Sequence, residues 1–352
     1  MYPASAVVRG HTMSQARNPR NRQDRDRAES ALAGRSAVVT GGSRGLGLLL
    51  AERLVDLGCD VTVAARDREE LAEAGGRLSG RHPTARVRTQ VCDVTDREAV
   101  RDLVRSAAEA HGGLDVVIAN AGIIQVAPVE AIGADEFRAA VDTMFMGSVH
   151  TALESLPYLR RSAGGGRLAL IGSVGGLVTP PHLVPYACAK SAVAALAEGL
   201  RAEEEQVSVT AVHPGLMRTG SHLAAEFGGD RGAEFAWFSA LAGTPVLSMD
   251  AERAARRIVR AVARRRTRLV LTPAARAADL AHGVAPALTV RATALAARVL
   301  PSGGPDTPHP EPAQGRDVEP AVAHPVLRRL RAWGSALNDR AADAFNERRR
   351  HA

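Results

Sequence analysis

The chain alternates short apolar runs with longer stretches whose apolar residues recur at helical spacing. Short runs rich in Val, Ile, Leu and Ala predict strands at 36–40, 60–65, 86–91, 116–119, 168–171, 207–212 and 268–271. Longer periodic stretches predict helices between them, including those at 96–111, 134–161 and 250–266. Strands that alternate with helices are typical of a parallel sheet covered on both faces. The pattern therefore predicts an α/β fold built on a doubly wound sheet of about seven parallel strands.

The two ends of the chain depart from this alternation. Residues 1–34 are polar, Arg-rich and aperiodic, which predicts a disordered extension before a folded domain at 35–273. An Ala- and Leu-rich stretch at 274–300 predicts a helical extension that can rest on a membrane surface or a partner, although its interspersed arginines weaken that interpretation. Residues 301–325 are rich in Pro and Gly and predict a linker, and residues 326–352 predict a final amphipathic helix.

Composition and charge argue against one class of partner. The 352 residues are 45% hydrophobic but only 3% aromatic, so Ala, Val and Leu must fill the core. The formal net charge of +7 is uneven, since residues 36–250 carry 19 basic and 26 acidic groups whereas residues 251–300 carry 11 basic and 2 acidic groups. A protein acting on nucleic acid would place basic surface on its working domain. We therefore expect no nucleic-acid partner.

Cysteine usage and hydropathy indicate the compartment. Cys59, Cys92 and Cys188 show neither a CxxC pair nor the spacing of a metal site, so we expect a reducing environment and no metal. No run approaches the ~18 apolar residues of a membrane span, and the N-terminus lacks the apolar segment of a signal peptide. A cytoplasmic location is the expectation.

Lys190 is the only lysine of the chain, and it follows Tyr186 by four positions. On a helix the two side chains share one face. A fixed cation near a phenol stabilises the phenolate, so Lys190 is expected to lower the pKa of Tyr186 and to make it a proton donor and acceptor. Taken alone, the pattern also fits an ordinary helix face that carries a tyrosine and a lysine.

A glycine-rich turn follows the first predicted strand and opens the first helix. Gly41, Gly45 and Gly47 permit a tight turn and let backbone N–H groups at a helix N-terminus approach a pyrophosphate. Such turns are common, but the strand–turn–helix context favours a dinucleotide site.

The residues at the end of the second strand bear on the choice of dinucleotide. Ala65 stands where proteins that prefer NAD usually carry an acidic residue. Arg66 follows it, and Arg44 lies inside the glycine-rich turn; two guanidinium groups near the ribose 2′ position suit a phosphate. The sequence therefore favours NADP, with NAD less favoured. The alternative is that both arginines are ordinary surface charges.

Five motifs, in this order and spacing, resemble those of the short-chain dehydrogenase/reductase family over about Ser36 to Pro273. They are the turn Thr40–Gly47, the segment Asn120–Gly122, Ser173 placed thirteen residues before Tyr186, the segment Tyr186–Lys190, and the segment Pro214–Thr219. The resemblance implies a Rossmann-like fold and an oxidoreductase that interconverts a carbonyl and an alcohol; together with the two arginines, it predicts that the enzyme depends on NADP(H). It also implies a homo-oligomer.

The resemblance further implies roles for individual residues. Tyr186 would act as the general acid/base, Ser173 would stabilise the substrate oxygen, and Lys190 would lower the pKa of Tyr186 and hold the nicotinamide ribose. The residues expected to contact the cofactor are Gly41, Ser43, Arg44, Gly45, Leu46, Gly47, Arg66, Asp93, Val94, Asn120, Ala121, Gly122, Tyr186, Lys190, Pro214, Gly215 and Thr219.

One position departs from the family pattern. Met144 stands where the family carries an asparagine that helps to place a proton-relaying water, and a thioether cannot replace that amide. A backbone carbonyl could hold the water, Asp142 or Thr143 could substitute, or the enzyme could be slow. The alternative function is a cofactor-binding regulator or scaffold with weak or no turnover.

A cluster of aromatic residues suggests the nature of the substrate. The family's substrate-covering segment follows Thr219, and here it holds Phe227, Phe235, Trp237 and Phe238. These side chains predict an apolar pocket for a lipophilic carbonyl or alcohol. The alternative is that they only pack the segment onto the body.

Overall fold

A seven-stranded parallel sheet forms the centre of the computed structural model, which describes residues 29–244, 247–301, 312–319 and 338–347. The strands are β1 (Ser36–Thr40), β2 (Asp60–Ala65), β3 (Val87–Val91), β4 (Val116–Ala119), β5 (Arg167–Ile171), β6 (Ser208–His213) and β7 (Arg268–Val270). Their order across the sheet is β7-β6-β5-β4-β1-β2-β3, with every neighbouring pair parallel. This confirms the predicted doubly wound α/β fold.

Helices cover both faces of the sheet. They are α1 (Gly45–Asp56), α2 (Arg68–Leu78), α3 (Arg97–His111), α4 (Ala134–Ala140), a π-helical segment (Val141–Met146), α5 (Gly147–Leu159), α6 (Val184–Glu203), α7 (Arg231–Gly243), α8 (Ala251–Ala263), α9 (Pro273–Val284), α10 (Pro286–Ala297) and the short α11 (Gly315–Val318). Asp67 and Asp96 cap α2 and α3, because each carboxylate accepts two backbone N–H groups of the first turn.

Two apolar clusters fill the space between the sheet and its helices. Alternate residues of a strand point to opposite faces, so Val39 packs against α1, α2 and α8, whereas Val38 packs against α3, α5 and α6. Every residue of β1 is buried, as expected for a central parallel strand covered on both sides. Small and branched aliphatic side chains make up most of both clusters, in agreement with the low aromatic content.

The strand order reverses between β1 and β4, which places a crevice at the carboxyl ends of these strands. In open α/β sheets this is where ligands bind. The glycine-rich turn leaves the end of β1, Asn120 follows β4 directly, and Ser173 comes two positions after β5. The fold thus brings residues from distant parts of the sequence to one edge of the sheet.

The structure corrects two predicted boundaries. Glu29 and Leu32, assigned to a disordered extension, belong to the folded body: Leu32 is fully buried, and the Glu29 carboxylate pairs with Arg53 and Arg260. Within the predicted linker 301–325, Ala313–Gln314 forms an antiparallel strand with Glu226–Phe227, and α11 follows it. An apolar contact is the reason, since Val318 is buried in the cluster around Phe227. Residues 1–28, 302–311 and 320–325 lie outside the described residues.

The C-terminal region has two parts with different surroundings. The predicted helical extension is present as α9 and α10, which are separated at Pro286 and are mostly exposed. Of the predicted final helix, residues 338–344 are helical and residues 338–347 pack on the body, while 326–337 and 348–352 lie outside the described residues. Across the described ranges, the helices are too short or too polar to span a bilayer.

Candidate active site

A cleft of about 1640 Å³ opens at the carboxyl edge of the sheet. Each residue predicted to be catalytic or to contact the cofactor lies on the wall of this one cleft, from Gly41 at one end to Thr219 at the other. The sequence motifs thus converge in space, although the role of each residue stays a prediction.

The glycine-rich turn and the end of β4 are held together closely. Gly41 has a positive φ of 62°, and a Cβ placed on it would lie 2.7 Å from the Cα of Ala121. A Cβ on Gly47 would lie 2.0 Å from the Gly41 carbonyl oxygen. The Asn120 amide nitrogen donates to the carbonyls of Thr40 and Gly41, at 3.2 and 3.0 Å. Side chains are therefore excluded from these positions, which leaves a backbone cradle of the kind that accepts a phosphate.

Arg44, the arginine of the glycine-rich turn, has carboxylate neighbours that the sequence did not indicate. The Ser43 hydroxyl donates to Glu70 at 3.0 Å, and Arg44 Nε lies 3.6 Å from the same carboxylate. Arg66 is exposed on the cleft wall next to Ala65. Arg66 therefore lies at the end of β2, as expected for a residue that reads a 2′-phosphate, whereas Arg44, in the turn after β1, already has acidic partners.

Ser173, Tyr186 and Lys190 meet where β5 ends and α6 begins. Ser173 caps a short 3₁₀ turn, its Oγ accepting the Gly175 N–H at 3.0 Å. Lys190 is buried, and its Nζ donates to the Ile171 carbonyl at 2.7 Å and lies 5.9 Å from the centre of the Tyr186 ring. Their spacing of four residues on α6 places both side chains on the face toward the cleft, as predicted.

The electrostatics of this group differ from the expectation. Burial raises the pKa of Tyr186 above its ordinary value, and a hydrogen bond with Ser173 only partly opposes this effect. Burial also lowers the pKa of Lys190 to about 8. The predicted lowering of the Tyr186 pKa by Lys190 is not seen, because the effect of burial on the phenol exceeds the opposing hydrogen bond.

Met144 lies deep in the site, on the π-helical segment. It is fully buried, and a Cβ on Gly122 would lie 3.5 Å from its sulfur and 3.7 Å from Lys190 Nζ. The Met144 carbonyl accepts the Ser148 hydroxyl at 2.6 Å. Of the two proposed substitutes, Thr143 lines the cleft, whereas Asp142 is exposed and does not. Asp142 is therefore excluded as the missing hydrogen-bonding group.

The predicted aromatic cluster divides into two parts. Trp237 and Phe238 of α7 line the cleft. Phe227 and Phe235 are fully buried instead and pack edge to face, with ring centres 5.4 Å apart. Two of the four aromatic residues therefore line the cleft, as the pocket interpretation predicts, and the other two pack the segment onto the body, as the alternative predicts.

A buried carboxylate that sequence reasoning missed joins this wall to the loop before α6. Glu234 on α7 is fully buried, lies 2.8 Å from His182 Nδ1, and accepts the Trp237 indole N–H at 2.6 Å. His182 precedes α6 and has a positive φ of 62°. A glutamate among aromatic residues on one helix was the only signal in the sequence, and nothing there paired it with His182.

The C-terminal segment also reaches the cleft, which the sequence did not predict. The Gly45 N–H, at the start of α1, donates to the Phe345 carbonyl at 2.9 Å, and the Asn346 amide donates to the Ser43 carbonyl at 3.2 Å. Glu347 lies on the cleft wall beside them.

Comparison with known proteins agrees with this geometry. The chain is 37% identical over 183 residues to the oxidoreductase BOA17 of Botryotinia fuckeliana (strain B05.10), a match that covers 51% of this chain and 65% of that relative, which is less than two thirds of its length. It is 31% identical over 192 residues to an uncharacterized oxidoreductase of Staphylococcus aureus (strain USA300), covering 54% of this chain and 81% of that protein.

Solved structures show the same fold. A short chain dehydrogenase from Burkholderia cenocepacia J2315 in complex with NADP superposes with a TM-score of 0.60 at 24% identity, over 70% of this chain and 99% of that one. A short chain dehydrogenase from Mycobacterium paratuberculosis bound to NAD also gives 0.60 at 24% identity, over 68% and 97%. Residues 35–226 match the sequence profile described as short chain dehydrogenase. The chain therefore belongs to the short-chain dehydrogenase family.

Proposed function

We propose that the protein is an NADP(H)-dependent oxidoreductase that interconverts a lipophilic carbonyl and its alcohol. The observation that carries the proposal is the convergence of Ser173, Tyr186 and Lys190 in a cleft that also contains the glycine-rich turn. The tight turn formed by Gly41 and Gly47 fits a dinucleotide, because only residues without a Cβ allow this close backbone packing at the start of a helix. The cytosol is the compartment that we propose.

The three polar side chains can share the proton chemistry at the substrate oxygen. The bound nicotinamide supplies hydride to, or accepts it from, the carbonyl carbon. Tyr186, whose pKa is raised by burial, is protonated at neutral pH and can donate its proton to a substrate oxygen during reduction. Ser173 can donate to the same oxygen and stabilise its developing charge. Lys190, with a pKa of about 8, can bind the nicotinamide ribose and exchange a proton near neutral pH.

The preference for NADP rests on Arg66 and Arg44 and on the lack of an acidic residue at Ala65. The lipophilic substrate rests on Trp237 and Phe238 in the cleft wall. Both features are compatible with the second candidate, a regulator that binds the dinucleotide without turnover. That candidate is favoured by Met144, since the buried thioether cannot relay a proton.

Turnover by the full chain tests the proposal. We expect consumption of NADPH with hydrophobic ketones, slower consumption of NADH, and a loss of at least about 10²-fold in kcat for Tyr186→Phe, as befits the removal of a general acid. Tyr158→Phe is the matched control, because that phenol lies on α5 outside the cleft. Equal rates for Tyr186→Phe and the parent would refute the mechanism. Dinucleotide binding without consumption across the panel would favour the regulator.

The proposed partners also include a lipid surface. Leu280, Val284, Leu288, Leu295 and Val299, on α9, α10 and just beyond, are 63% to 84% exposed. Arginines lie among them and Val299 lines the cleft mouth, so anionic lipid could meet this face where a lipophilic substrate would enter. Flotation with anionic vesicles tests this contact. Sedimentation measures the alternative, the predicted homo-oligomer, which could cover the same face.

A further inference from the structure

The last described residues of the chain run from the loop after Thr219 to the glycine-rich turn. At the end near Thr219, the Gly220 N–H donates to Asn338 Oδ1 at 3.0 Å, and Asn338 Nδ2 lies 2.9 Å from His222 Nδ1. A Cβ on Gly220 would lie 2.4 Å from the Cα of Ala342, so the segment packs directly on this loop. Residues 338–347 are named the C-terminal strap here.

At its other end the strap occupies the glycine-rich turn. The Gly45 N–H, which has no partner within α1, donates to the Phe345 carbonyl of the strap at 2.9 Å. A Cβ on Gly45 would lie 2.5 Å from Glu347 Oε1, so the carboxylate fills the space next to this glycine. The strap therefore uses both the backbone donor and the open space that a phosphate would need.

Glu347 also engages the arginine of the turn. Its carboxylate lies 3.4 Å from Arg44 Nη1, and the side chain is only 5% exposed. Neither Glu347 Oε2 nor Arg44 Nη1 has a hydrogen bond among the described residues, although both atoms are buried. The two atoms form an ion pair without hydrogen-bond geometry, so a ligand that offers Arg44 well-aligned acceptors would compete with Glu347 for it.

Apolar packing holds the middle of the strap. Ala341 and Phe345 are buried in the cluster that contains α1 and α8, and Ala342 is buried beside Phe227. The strap is thus anchored by its apolar residues and by Asn338, while its final carboxylate lies in the candidate phosphate site. The part that must move to admit a phosphate is the end of the strap from the Phe345 carbonyl to Glu347, while Asn338, Ala341 and Ala342 can stay in place.

We propose that the C-terminal strap is a competitive guard of the cofactor site, which Glu347 must leave before the pyrophosphate of the dinucleotide can bind. The proposal rests on the proposed function in one respect, namely that the glycine-rich turn binds a dinucleotide. It adds that the chain carries its own competitor for that turn. Apparent cofactor affinity is then reduced by the fraction of molecules in which the strap is docked.

Two substitutions of Glu347 distinguish the effect of its side-chain volume on cofactor binding from the effect of its charge. Glu347→Ala empties the space next to Gly45 and should tighten NADP⁺ binding about tenfold, the factor expected if roughly one molecule in ten is open in the parent. Glu347→Gln keeps the volume. Burial raises the pKa of Glu347 to about 7. The charge of Glu70 adds to this rise, whereas the charges of Arg44 and Arg316 oppose it. Because the docked position favours the protonated form, a neutral side chain should dock at least as well as the carboxylate. We expect Glu347→Gln to bind no more tightly than the parent.

The experiment is calorimetry of the full chain with NADP⁺ at pH 8. Glu73→Gln, an exposed change on α2, is the control. Asn338→Ala releases the opposite end of the strap and should also tighten binding. Equal affinities for the parent and Glu347→Ala, or weaker binding by Asn338→Ala, would overturn the guard and leave the proposed function intact. A failure of every variant and of the parent to bind either dinucleotide would instead refute the proposed function, and the guard with it.

Discussion

Met144 places a buried thioether next to Gly122, at the position where the family resemblance predicts an asparagine. Its neighbours Ala140 and Ala189 are fully buried, and Ile123 and Tyr186 pack against them. The side chain therefore contributes apolar packing at the position where the family resemblance implies a hydrogen-bonding amide. Thr143 and the Met144 carbonyl are the remaining polar groups of this segment that could support proton transfer, and the carbonyl already accepts the Ser148 hydroxyl.

Met144→Asn should raise activity and lower stability. We expect kcat to rise about tenfold, a modest part of what proton relays contribute. Because an amide would enter an apolar cluster, we expect the free energy of unfolding to fall by about 1–3 kcal/mol. Steady-state kinetics and urea denaturation measure the two effects, with Met146→Asn as the control from the same π-helical segment. An unchanged kcat in a folded variant would mean that this relay does not limit turnover.

Helix α7 and the loop before α6 act as one element because Glu234 joins them. The carboxylate of Glu234 serves both His182 and Trp237, and Trp237 lines the cleft. This contact fixes the loop that delivers Tyr186 against the wall that would receive the substrate. It makes Glu234 a positioning residue, since it touches neither the candidate substrate space nor the cofactor residues.

Glu234→Gln should loosen this wall. The amide has one acceptor oxygen, so with that oxygen bonded to Trp237 the amide NH₂ can pair with His182 only if Nδ1 changes from donor to acceptor. We expect this change, together with the lost charge, to cost about 1–3 kcal/mol in the free energy of unfolding. We expect KM for a hydrophobic ketone to rise several-fold while kcat changes less, because Ser173 and Lys190 keep their own contacts. Glu205→Gln, on an exposed loop, is the control. A loss confined to kcat would contradict a positioning role.

The same elements show how far sequence alone reaches. Strands such as β1 and β4, and the Tyr186–Lys190 pair on α6, were predictable because periodicity and spacing are local properties. The contact between Asn346 and Ser43 joins residues 303 positions apart, and no periodic pattern encodes it. The pKa of Tyr186 was not predictable either, since burial is set by the packed surroundings. The linker at 301–325 failed in part because pairing with Glu226–Phe227 outweighs local composition.

Across the whole molecule, the carboxyl and amino edges of the sheet carry different kinds of polar residues. The carboxyl edge carries the cleft, with glycines and buried polar groups that serve binding. The amino edge carries a compact polar network around Asp115, whose carboxylate accepts the Ser36 N–H at 3.0 Å, the Ser162 hydroxyl at 2.5 Å and Arg35 at 3.1 Å. This network ties β1 to the start of β4 and to the loop before β5, far along the strands from the cleft.

Asp115→Asn should therefore change stability and spare binding. Burial alone would raise the pKa of Asp115, but the hydrogen bonds from Ser162 and Ser36 and the charge of Arg35 outweigh it and lower the pKa. A carboxylate whose pKa is lower in the folded state stabilises the fold above its unfolded pKa of ~3.9 and loses that effect as the pH falls through the folded value. We expect Asp115→Asn to cost about 1–3 kcal/mol at pH 7, and the difference from the parent to shrink below pH ~4.

Urea denaturation from pH 7 to pH 3, with NADP⁺ calorimetry at pH 7, measures both halves of this expectation. Asp135→Asn is the control, because that side chain is 91% exposed. A stability difference that does not change with pH would show that the charge of Asp115 contributes nothing beyond its hydrogen bonds. Weaker NADP⁺ binding by a folded Asp115→Asn protein would show that the network at the amino edge influences the cleft at the carboxyl edge. It would contradict the assignment of stability to one edge and binding to the other.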